Sequence, residues 1–199
     1  MVNKSANKGF LLVTMQPPPM LEEEFNAWYD TEHVPERLAV PGMLTALRFV
    51  CIDGHPRYLA MYDLENHDVM TSPAYLKVAH DKSSPWTKRV TSRVKVWRSA
   101  GTQIYPGSAI TKPSARVQLL RFRGIAAAAE REIVDGVKTA VAERPDVNQV
   151  RVLAFDTGAA GIDYMAFVEL NRPSPGIADF KAFGAHAGKI DLVNWYAPY

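Results

Sequence analysis

The segment YLAMYDL at residues 58–64 resembles a second segment, YMAFVEL, at residues 164–170. The second segment begins 106 residues after the first, in a chain of 199 residues. Each has the apolar and aromatic composition of a buried β-strand. We therefore predict an internal repeat that divides the chain into two halves of similar length.

The order of the predicted elements around these segments supports the repeat. In the first half we predict strands at 10–15, 43–52, 57–64 and 94–105, and helices at 21–33 and 68–79. In the second half we predict strands at 115–123, 147–155, 163–170 and 189–196, and helices at 125–144 and 175–187. Each half then has the order β-α-β-β-α-β, which is the ferredoxin-like arrangement. A segment rich in Pro, Gly, Ser and Thr at residues 106–114 separates the halves.

A single ferredoxin-like half cannot cover both faces of its sheet. Its helices pack on one face of a four-stranded antiparallel sheet, and the other face would expose a large apolar patch to water. We therefore predict an α+β fold of two tandem βαββαβ repeats, residues 1–106 and 107–199. Their sheets are expected to pack face to face as a pseudo-dimeric α+β barrel.

The composition excludes several classes of protein. The chain is 47% hydrophobic and 22% charged with a net charge of +2, which is ordinary for a globular protein and shows no nucleic-acid footprint. No apolar run approaches the roughly 20 residues that span a bilayer. The lone Cys51 cannot form an internal disulfide. We expect a cytoplasmic protein without nucleic-acid or membrane partners.

The sequence also lacks the common cofactor motifs. It contains no GxGxxG, no GxxxxGK[ST] and no GxSxG. No two histidines have the HxH or HxxxH spacing of a metal site. We therefore expect no cofactor and no metal ligands.

An amphipathic helix is predicted at the start of the stretch LEEEFNAWYDTEHVPERLAVPG, residues 21–42. Three glutamates lie in its first turn, at the positive end of the helix dipole. Tyr29 and His33 are four residues apart and therefore share a face. Because Pro35 disfavours helical geometry at the residue before it, we expect the helix to end or kink at His33.

The run FNAWYDTEHVPERLAVPGMLTALRFV, residues 25–50, resembles the EthD-like branch of the dimeric α+β barrel superfamily, as do PRYLAMYDLEN and SPAY further on. The most specific part is EHVP at the end of the first helix, followed by a Pro-Gly turn and a strand. The likeness in motifs covers about the first hundred residues, and the second half resembles the superfamily only in layout. The resemblance implies a barrel interior that holds a small aromatic or lactone-like molecule.

The resemblance also implies where chemistry would occur. Relatives include cofactor-independent isomerases, cyclases, lyases and monooxygenases, in which a histidine in this region of the first helix is a recurrent participant. His33 has that position, whereas the corresponding residue of the second half is Thr139. We therefore expect one working site in the first half and a second half that completes the barrel.

Three side chains are candidates for catalysis. His33 is a candidate acid or base, Tyr29 shares its helix face, and Arg48 is the odd charge in an apolar strand. A histidine bonded to free carbonyls at a helix end is the alternative for His33. An ion pair or exposure at the barrel rim is the alternative for Arg48. If Leu47 and Phe49 pack against the helices, Arg48 points into the barrel.

Five aromatic residues are candidates for substrate binding, namely Trp28, Tyr58, Tyr62, Tyr75 and Trp86. Tyr62 could donate a hydrogen bond to a developing oxyanion. Packing onto the sheet is the alternative for Trp28 and Tyr58. Tyr75 and Trp86 are expected to form a lid or a wall, with Trp86 in a loop at residues 81–88.

The leading hypothesis is a cofactor-independent isomerase, cyclase or lyase. It would move a proton on a small aromatic or cyclic oxygenated metabolite bound in the barrel. The alternatives are a cofactor-free monooxygenase, a non-catalytic carrier of small molecules, and a structural barrel filled by side chains. A small-molecule substrate is the expected partner, and an exposed strand edge could add a homodimer to the internal pseudo-dimer.

Overall fold

A closed barrel of eight antiparallel strands forms the centre of the protein. The computed structural model describes residues 7–79, 82–158 and 161–199. The strands in these ranges are β1 Gly9–Gln16, β2 Met43–Asp53, β3 Tyr58–Leu64, β4 Lys95–Tyr105, β5 Arg116–Ile125, β6 Val147–Asp156, β7 Ile162–Leu170 and β8 Ile190–Pro198. Around the barrel they follow the order β1-β3-β2-β8-β5-β7-β6-β4. Together with the helices outside it, this confirms the predicted α+β class and the barrel.

The two halves of the chain arrange their strands in the same way. Neighbouring strands follow the order β4, β1, β3, β2 in the first half and β8, β5, β7, β6 in the second. The pairs β2–β8 and β4–β6 join the halves by hydrogen bonds. The sheets that we expected to face each other are therefore opposite walls of one continuous barrel, and the strands described here leave no free edge.

The first helix continues past His33, so the prediction that it ends there is wrong, although its regular α-helical geometry is interrupted at this point. Helix α1, Glu22–Trp28, runs into a π-helical turn, Tyr29–His33, and then into α2, Val34–Leu38. The amide of Val34 bonds to the carbonyl of Tyr29, five residues back. Pro35 lies in the first turn of α2, and the wider π-helical turn before it lets the helix pass a residue that has no amide hydrogen to donate.

The rest of the first half contains shorter helices than predicted. The segment expected to form a helix at 68–79 forms a 3₁₀ helix, His67–Thr71, and a single turn, α3, Pro73–Leu76. The expected loop at 81–88 contains the start of helix α4, Pro85–Thr91, while residue 81 lies outside the described residues. Ser72 and Ser84 each cap a helix through the side-chain oxygen and precede a proline at its first position. The Ser-Pro pairs were therefore helix starts.

The second half has one regular helix, α5, Glu130–Val141, which is shorter than the predicted 125–144. A 3₁₀ turn, Ala127–Ala129, precedes it. The helix expected at 175–187 is replaced by 3₁₀ turns at Lys181–Lys189. Gly184, with φ 51° and ψ −126°, interrupts them. None of the described helices has both the length and the apolar composition needed to cross a membrane.

Side chains fill the interior of the barrel. The buried residues of this core come from strands alone. They are Phe10, Leu12, Phe49, Leu59, Met61, Val117, Leu119, Leu153, Phe155, Met165, Phe167 and Tyr196. Protein interiors pack to the density of organic crystals. The expectation that a ligand binds inside the barrel is therefore wrong.

The two faces of β2 are the reverse of those expected. Leu47 and Phe49 pack in the barrel interior, whereas Ala46 and Val50 pack on the core beneath the first-half helices. Arg48 lies on that helix-facing side, with its guanidinium 4.5 Å from the ring centre of Tyr29. The expectation that Arg48 points into the barrel is wrong. A buried guanidinium requires hydrogen-bond partners, and on the outer face Asp30 and Asn26 supply them.

One charged cluster lies inside the barrel and joins the two halves. Arg151 of β6 is fully buried, donates to Asp63 of β3 at 2.6 Å, and lies 3.7 Å from Glu169 of β7. The backbone amides of Thr111 and Lys112, in the connection between the halves, donate to Asp63 and Glu169 at 2.6 and 2.7 Å. Buried charges require such partners to offset lost hydration. The cluster therefore couples the closure of the barrel to the path of the connecting segment.

We predict that Arg151→Met lowers the free energy of unfolding at pH 7 by about 3–5 kcal/mol, because two buried carboxylates lose their cation. Burial already raises the pKa of Glu169 above its usual 4.5, and loss of Arg151 raises it further. The folded variant then takes up a proton more readily than the unfolded chain. The stability deficit should therefore shrink as the pH falls from 7 to 5 in urea denaturation.

Arg131→Met is the matched control, because Arg131 forms only an exposed pair with Asp135 on α5. It should cost about 0.5 kcal/mol or less. A deficit for Arg151→Met as small as that of Arg131→Met, or one that grows in acid, would contradict the structural role given to the cluster.

Candidate active site

A cavity of about 310 Å³ lies between the outer face of the first-half sheet and helices α1, α2 and α4. Its lining residues are Leu11, Val13, Met15, Phe25, Trp28, Tyr29, His33, Arg37, Tyr62, Met70, Tyr75, Ala79, Ser83, Thr87, Val90, Thr91, Val94, Val96 and Arg98. Most are apolar or aromatic, and none of these described residues is acidic. Small-molecule sites in proteins commonly combine such an apolar wall with a few polar groups.

The sheet side of the cavity follows from the two-residue period of β-strands. Leu11, Val13 and Met15 alternate along β1 and present one face to the cavity. Arg98 of β4 is paired with Val13 across the two strands, and Val96 lies two residues before it. The same alternation therefore brings a single charged side chain, Arg98, onto an otherwise aliphatic surface.

Two tyrosine hydroxyls meet at the cavity wall. The oxygens of Tyr29 and Tyr62 lie 2.9 Å apart, and both residues are buried. Burial raises the pKa of Tyr29 to about 12 and raises that of Tyr62 well above its usual 10. Both hydroxyls therefore keep their hydrogens at neutral pH. Their mutual bond uses one hydrogen, so the accepting tyrosine retains one that it can donate to a ligand.

His33 lies beside this pair at the end of the π-helical turn. Its ring centre is 4.4 Å from that of Trp28 and 4.9 Å from that of Tyr29. Its Nδ1 atom is buried and has no hydrogen-bond partner among the described residues. Burial, with smaller contributions from nearby arginines, lowers the pKa of His33 well below its usual 6.5. The imidazole is therefore neutral at pH 7, and in one tautomer its Nδ1 lone pair can accept a proton.

Two arginines add positive charge to the cavity. Arg37 follows His33 by one helical turn, is 6% exposed, and donates through Nη2 to the carbonyl of Val78 at 2.9 Å. Glu36 lies 3.9 Å from the same nitrogen. The Nη1 atom of Arg37 is buried without a hydrogen-bond partner. Arg98 is exposed and forms no ion pair within the described ranges.

A chain of hydrogen bonds attaches α4 to the first helix. Trp28 donates through its indole nitrogen to Thr87 at 3.0 Å, and Thr87 donates to Glu32 at 3.1 Å. Ser84, the cap of α4, donates to the same Glu32 oxygen at 2.5 Å. Glu32 therefore acts from outside the cavity to position the wall that Trp28 and Thr87 form.

The structure brings five of the eight candidate site residues together. His33, Tyr29, Trp28, Tyr62 and Tyr75 all line the cavity. Tyr29 and His33 share a helix face as the four-residue spacing indicated. The alternative for His33, a bond from its ring to free carbonyls at a helix end, does not apply to Nδ1, because the helix continues and Nδ1 has no partner.

The other three candidates do not line the cavity. Arg48 donates to Asp30 at 2.5 Å and to Asn26 at 2.6 Å, and its guanidinium lies 3.8 Å from the ring centre of Tyr199. These contacts match the ion-pair alternative. Tyr58 donates to Glu22 at 2.5 Å. Their hydrogen-bond partners Asp30, Asn26 and Glu22 lie outside the cavity lining, so both residues connect the first helix to the sheet.

Trp86 is the third of these candidates. It lies on helix α4 and donates to Glu24 of α1 at 3.2 Å. It packs at the edge of the first-half core. It therefore helps to attach α4. The loop that we had expected to form a lid or a wall is helical at Trp86.

Arg37 and Arg98 are functional candidates that the sequence reading missed. Arg37 lies four residues after His33, so it would have shared the face of Tyr29 and His33 had we expected the helix to continue. Arg98 lies on the alternating face of β4 with Val96. That signal could have been found in the sequence, but it requires knowing which face of β4 meets the helices.

Comparison with known proteins identifies the fold and no family. No protein-family model and no curated protein matches this sequence. An anthrone oxidase-like protein superposes with a TM-score of 0.66 at 12% identity, over 98% of this chain and 92% of its own. A variant chlorite dismutase from Candidatus Nitrospira defluvii, in complex with cyanide, gives 0.61 at 9% identity, over 100% and 95%. A candidate monooxygenase from Lactobacillus acidophilus NCFM gives 0.54 at 11%, over 97% and 93%.

The chain has the dimeric α+β barrel fold. At these identities the likeness is one of architecture, and it extends over nearly the full length of each neighbour. The α+β barrel fold that the resemblance implied is therefore confirmed. The cavity described above must supply the argument for function.

We predict that His33 destabilises the folded protein in acid. Its pKa is lower in the folded state than in the unfolded chain, so as the pH falls below about 6.5 the unfolded chain binds the proton first. His33→Gln should therefore lose less stability than the wild type between pH 7 and pH 5, measured by urea denaturation at several pH values.

His67→Gln is the control, since His67 is exposed at the start of a 3₁₀ helix. Its stability should follow that of the wild type over the same pH range. A parallel loss of stability in His33→Gln and wild type would show that His33 is not desolvated.

We also predict that Arg48→Met destabilises the protein by about 1–2 kcal/mol, because charge-assisted hydrogen bonds to Asp30 and Asn26 are lost while the half-exposed Asp30 remains hydrated. Arg57→Met, which removes a half-exposed pair with Glu22, should cost about 0.2–1 kcal/mol. Chemical denaturation of both variants measures the difference. If Arg48→Met costs no more than Arg57→Met, Arg48 does not anchor the first helix.

Proposed function

We propose that this protein is a cofactor-independent enzyme that transfers a proton on a small aromatic or cyclic oxygenated metabolite. The observation that carries the proposal is a neutral histidine in the cavity, whose buried Nδ1 has no partner. It lies beside a pair of protonated tyrosines in an aromatic wall. A general base and a hydrogen-bond donor are the two groups that enolisation requires.

In this proposal His33 is the base. Its Nδ1 lone pair accepts a proton from a carbon next to a carbonyl group. The electron pair of that C–H bond forms a C=C bond, and the π pair of the carbonyl group moves to the oxygen. The free hydroxyl hydrogen of the Tyr29–Tyr62 pair donates to the developing oxyanion. Trp28 and Tyr75 pack against the ring of the substrate. Return of the proton to a second position gives isomerisation, and loss of a leaving group gives elimination.

A cofactor-free monooxygenase is the second candidate. The same deprotonation produces an electron-rich carbanion. Its carbon can bond to dioxygen to give a hydroperoxide, which loses water to leave a new carbonyl group, so that dioxygen is the oxidant and its second oxygen atom leaves as water. The specific observation in its favour is that the structural neighbours include an anthrone oxidase-like protein and a candidate monooxygenase. Arg48, which we expected to act in catalysis, has no part in this proposal because it does not line the cavity.

The proposal includes the origin of the two halves. We infer two tandem ferredoxin-like repeats, residues 1–106 and 107–199, with the first belonging to the EthD-like branch. The identical strand order of the halves and the correspondence of residues 58–64 with residues 164–170 support this. In the second half, Ile133, Val137 and Phe183 form part of a buried core beneath α5. Side chains thus fill the space beneath α5, whereas the first half has a cavity beneath its helices. We infer one working site per chain from this difference.

Anthrone is a suitable test compound, since it is a tricyclic ketone with an acidic CH₂ group. The enzyme should speed the exchange of that CH₂ for deuterium in D₂O under anaerobic conditions, measured by NMR against the uncatalysed rate. His33→Gln should reduce the catalysed rate by roughly 10²–10⁴-fold, as for loss of a general base, with a modest change in KM. Enzyme-dependent consumption of oxygen with anthrone in air would favour the monooxygenase over the isomerase or lyase.

The matched control is His67→Gln, which should exchange anthrone at the wild-type rate because His67 is exposed and outside the cavity lining. A His33→Gln rate within a few fold of wild type would refute the proposed base. Tight binding of anthrone without any catalysed exchange would favour a non-catalytic carrier.

A further inference from the structure

The positive charge of the cavity exceeds what its own residues neutralise. Arg37 is 6% exposed, and its Nη1 atom has no hydrogen-bond partner. Arg98 lines the same cavity from β4. Glu36 is the one carboxylate that the structure places near Arg37, at 3.9 Å, and burial raises the pKa of Glu36. Two cations on an apolar wall repel each other, and an anion between them would offset that repulsion.

The donors of Arg37 are only partly used. Its Nη2 atom donates to the carbonyl of Val78 at 2.9 Å, which orients the guanidinium plane. A buried donor without a partner costs free energy in the empty protein, and a ligand oxygen that accepts from it removes that cost. Arginine presents its N–H groups in a planar fork that matches a carboxylate. Nη1 is therefore a preformed position for a ligand oxygen.

We propose that Arg37 and Arg98 form a carboxylate subsite in this cavity, so that the substrate is an aromatic or cyclic ketone or phenol that also carries a carboxylate. The inference rests on the proposed function for the reacting end of the substrate, next to His33 and the Tyr29–Tyr62 pair. It adds a second, permanently charged end. The absence of acidic side chains from the described lining favours an anion over a cation or a neutral sugar.

A matched pair of probes tests the subsite by binding alone. 2-Naphthoate and 2-acetonaphthone share a ring system and a carbonyl group. The carbonyl carbon of 2-naphthoate carries a negatively charged oxygen, and that of 2-acetonaphthone carries a methyl group in its place. Isothermal titration calorimetry on the full chain should give a Kd for 2-naphthoate roughly 10- to 100-fold lower than that for the ketone, as for a hydrogen bond to a charged group. Added NaCl should weaken the binding of 2-naphthoate and leave the binding of the ketone unchanged.

Two variants assign the effect to the arginines. Arg98→Gln changes an exposed side chain and should lower the affinity for 2-naphthoate about 10-fold, while the affinity for the ketone is retained. Arg37→Met should do the same, although it also removes the bond to Val78 and can lower stability. Arg93→Gln is the control, because Arg93 is exposed between α4 and β4 and does not line the cavity. It should leave both affinities unchanged.

The proposal is overturned if the two probes bind the wild type equally, if neither binds, or if Arg98→Gln retains the preference for the carboxylate. Its failure is separable from failure of the proposed function. Anthrone carries no carboxylate, so His33-dependent exchange of anthrone can succeed while the carboxylate subsite fails, and a carboxylate preference can occur without any turnover.

Discussion

The filled interior of the barrel is the constraint on which the rest of the structure depends. Large side chains from both halves occupy it, and the buried ion cluster of Arg151, Asp63 and Glu169 closes it with the connecting segment. The candidate site lies instead on the outer face of the first-half sheet, beneath the helices. The second half covers that face with a buried core from α5 and the following 3₁₀ turns. The first half retains a cavity of about 310 Å³ there, between the sheet and helices α1, α2 and α4.

The π-helical turn explains why the polar groups of the cavity lie together. It allows the first helix to pass Pro35 without ending, so Tyr29, His33 and Arg37 follow one another at four-residue intervals along the cavity. π-helical turns are frequent at functional sites because they alter the direction in which side chains point. Helix α4 then covers these residues, held by the bonds from Trp28 to Thr87 and from Thr87 to Glu32. The desolvation of His33 is a consequence of this arrangement.

Much of the fold could be predicted from local sequence patterns. The strands were found because alternation and β-branched runs are strong signals, and the observed bounds differ from the predicted ones by at most two residues. The helices were less predictable. The end expected at Pro35 ignored the π-helical turn, and the Ser-Pro starts at residues 72 and 84 were read as loop or helix interior. Local propensity does not state how a proline or a capping serine is used.

The site was only partly predictable for a related reason. Spacing identified Tyr29 and His33, because both lie on one helix. Arg48 and Arg98 each interrupt an apolar strand, and only the tertiary structure tells which of them meets the cavity and which meets Asp30. The sequence also could not tell which face of β2 would fill the barrel. That choice depends on the combined packing of strands from both halves.

The central claim is that His33, which lines the cavity, is a neutral imidazole whose buried Nδ1 atom has no hydrogen-bond partner among the described residues. Nitrogen-15 NMR of the histidine side chains as a function of pH tests it most directly, with the exposed His67 as reference in the same spectra. The account predicts that His33 stays neutral well below pH 6.5 and that 2-naphthoate shifts its ring resonances. A His33 ring that takes up a proton near pH 6.5, and does not respond to the ligand, would contradict the account.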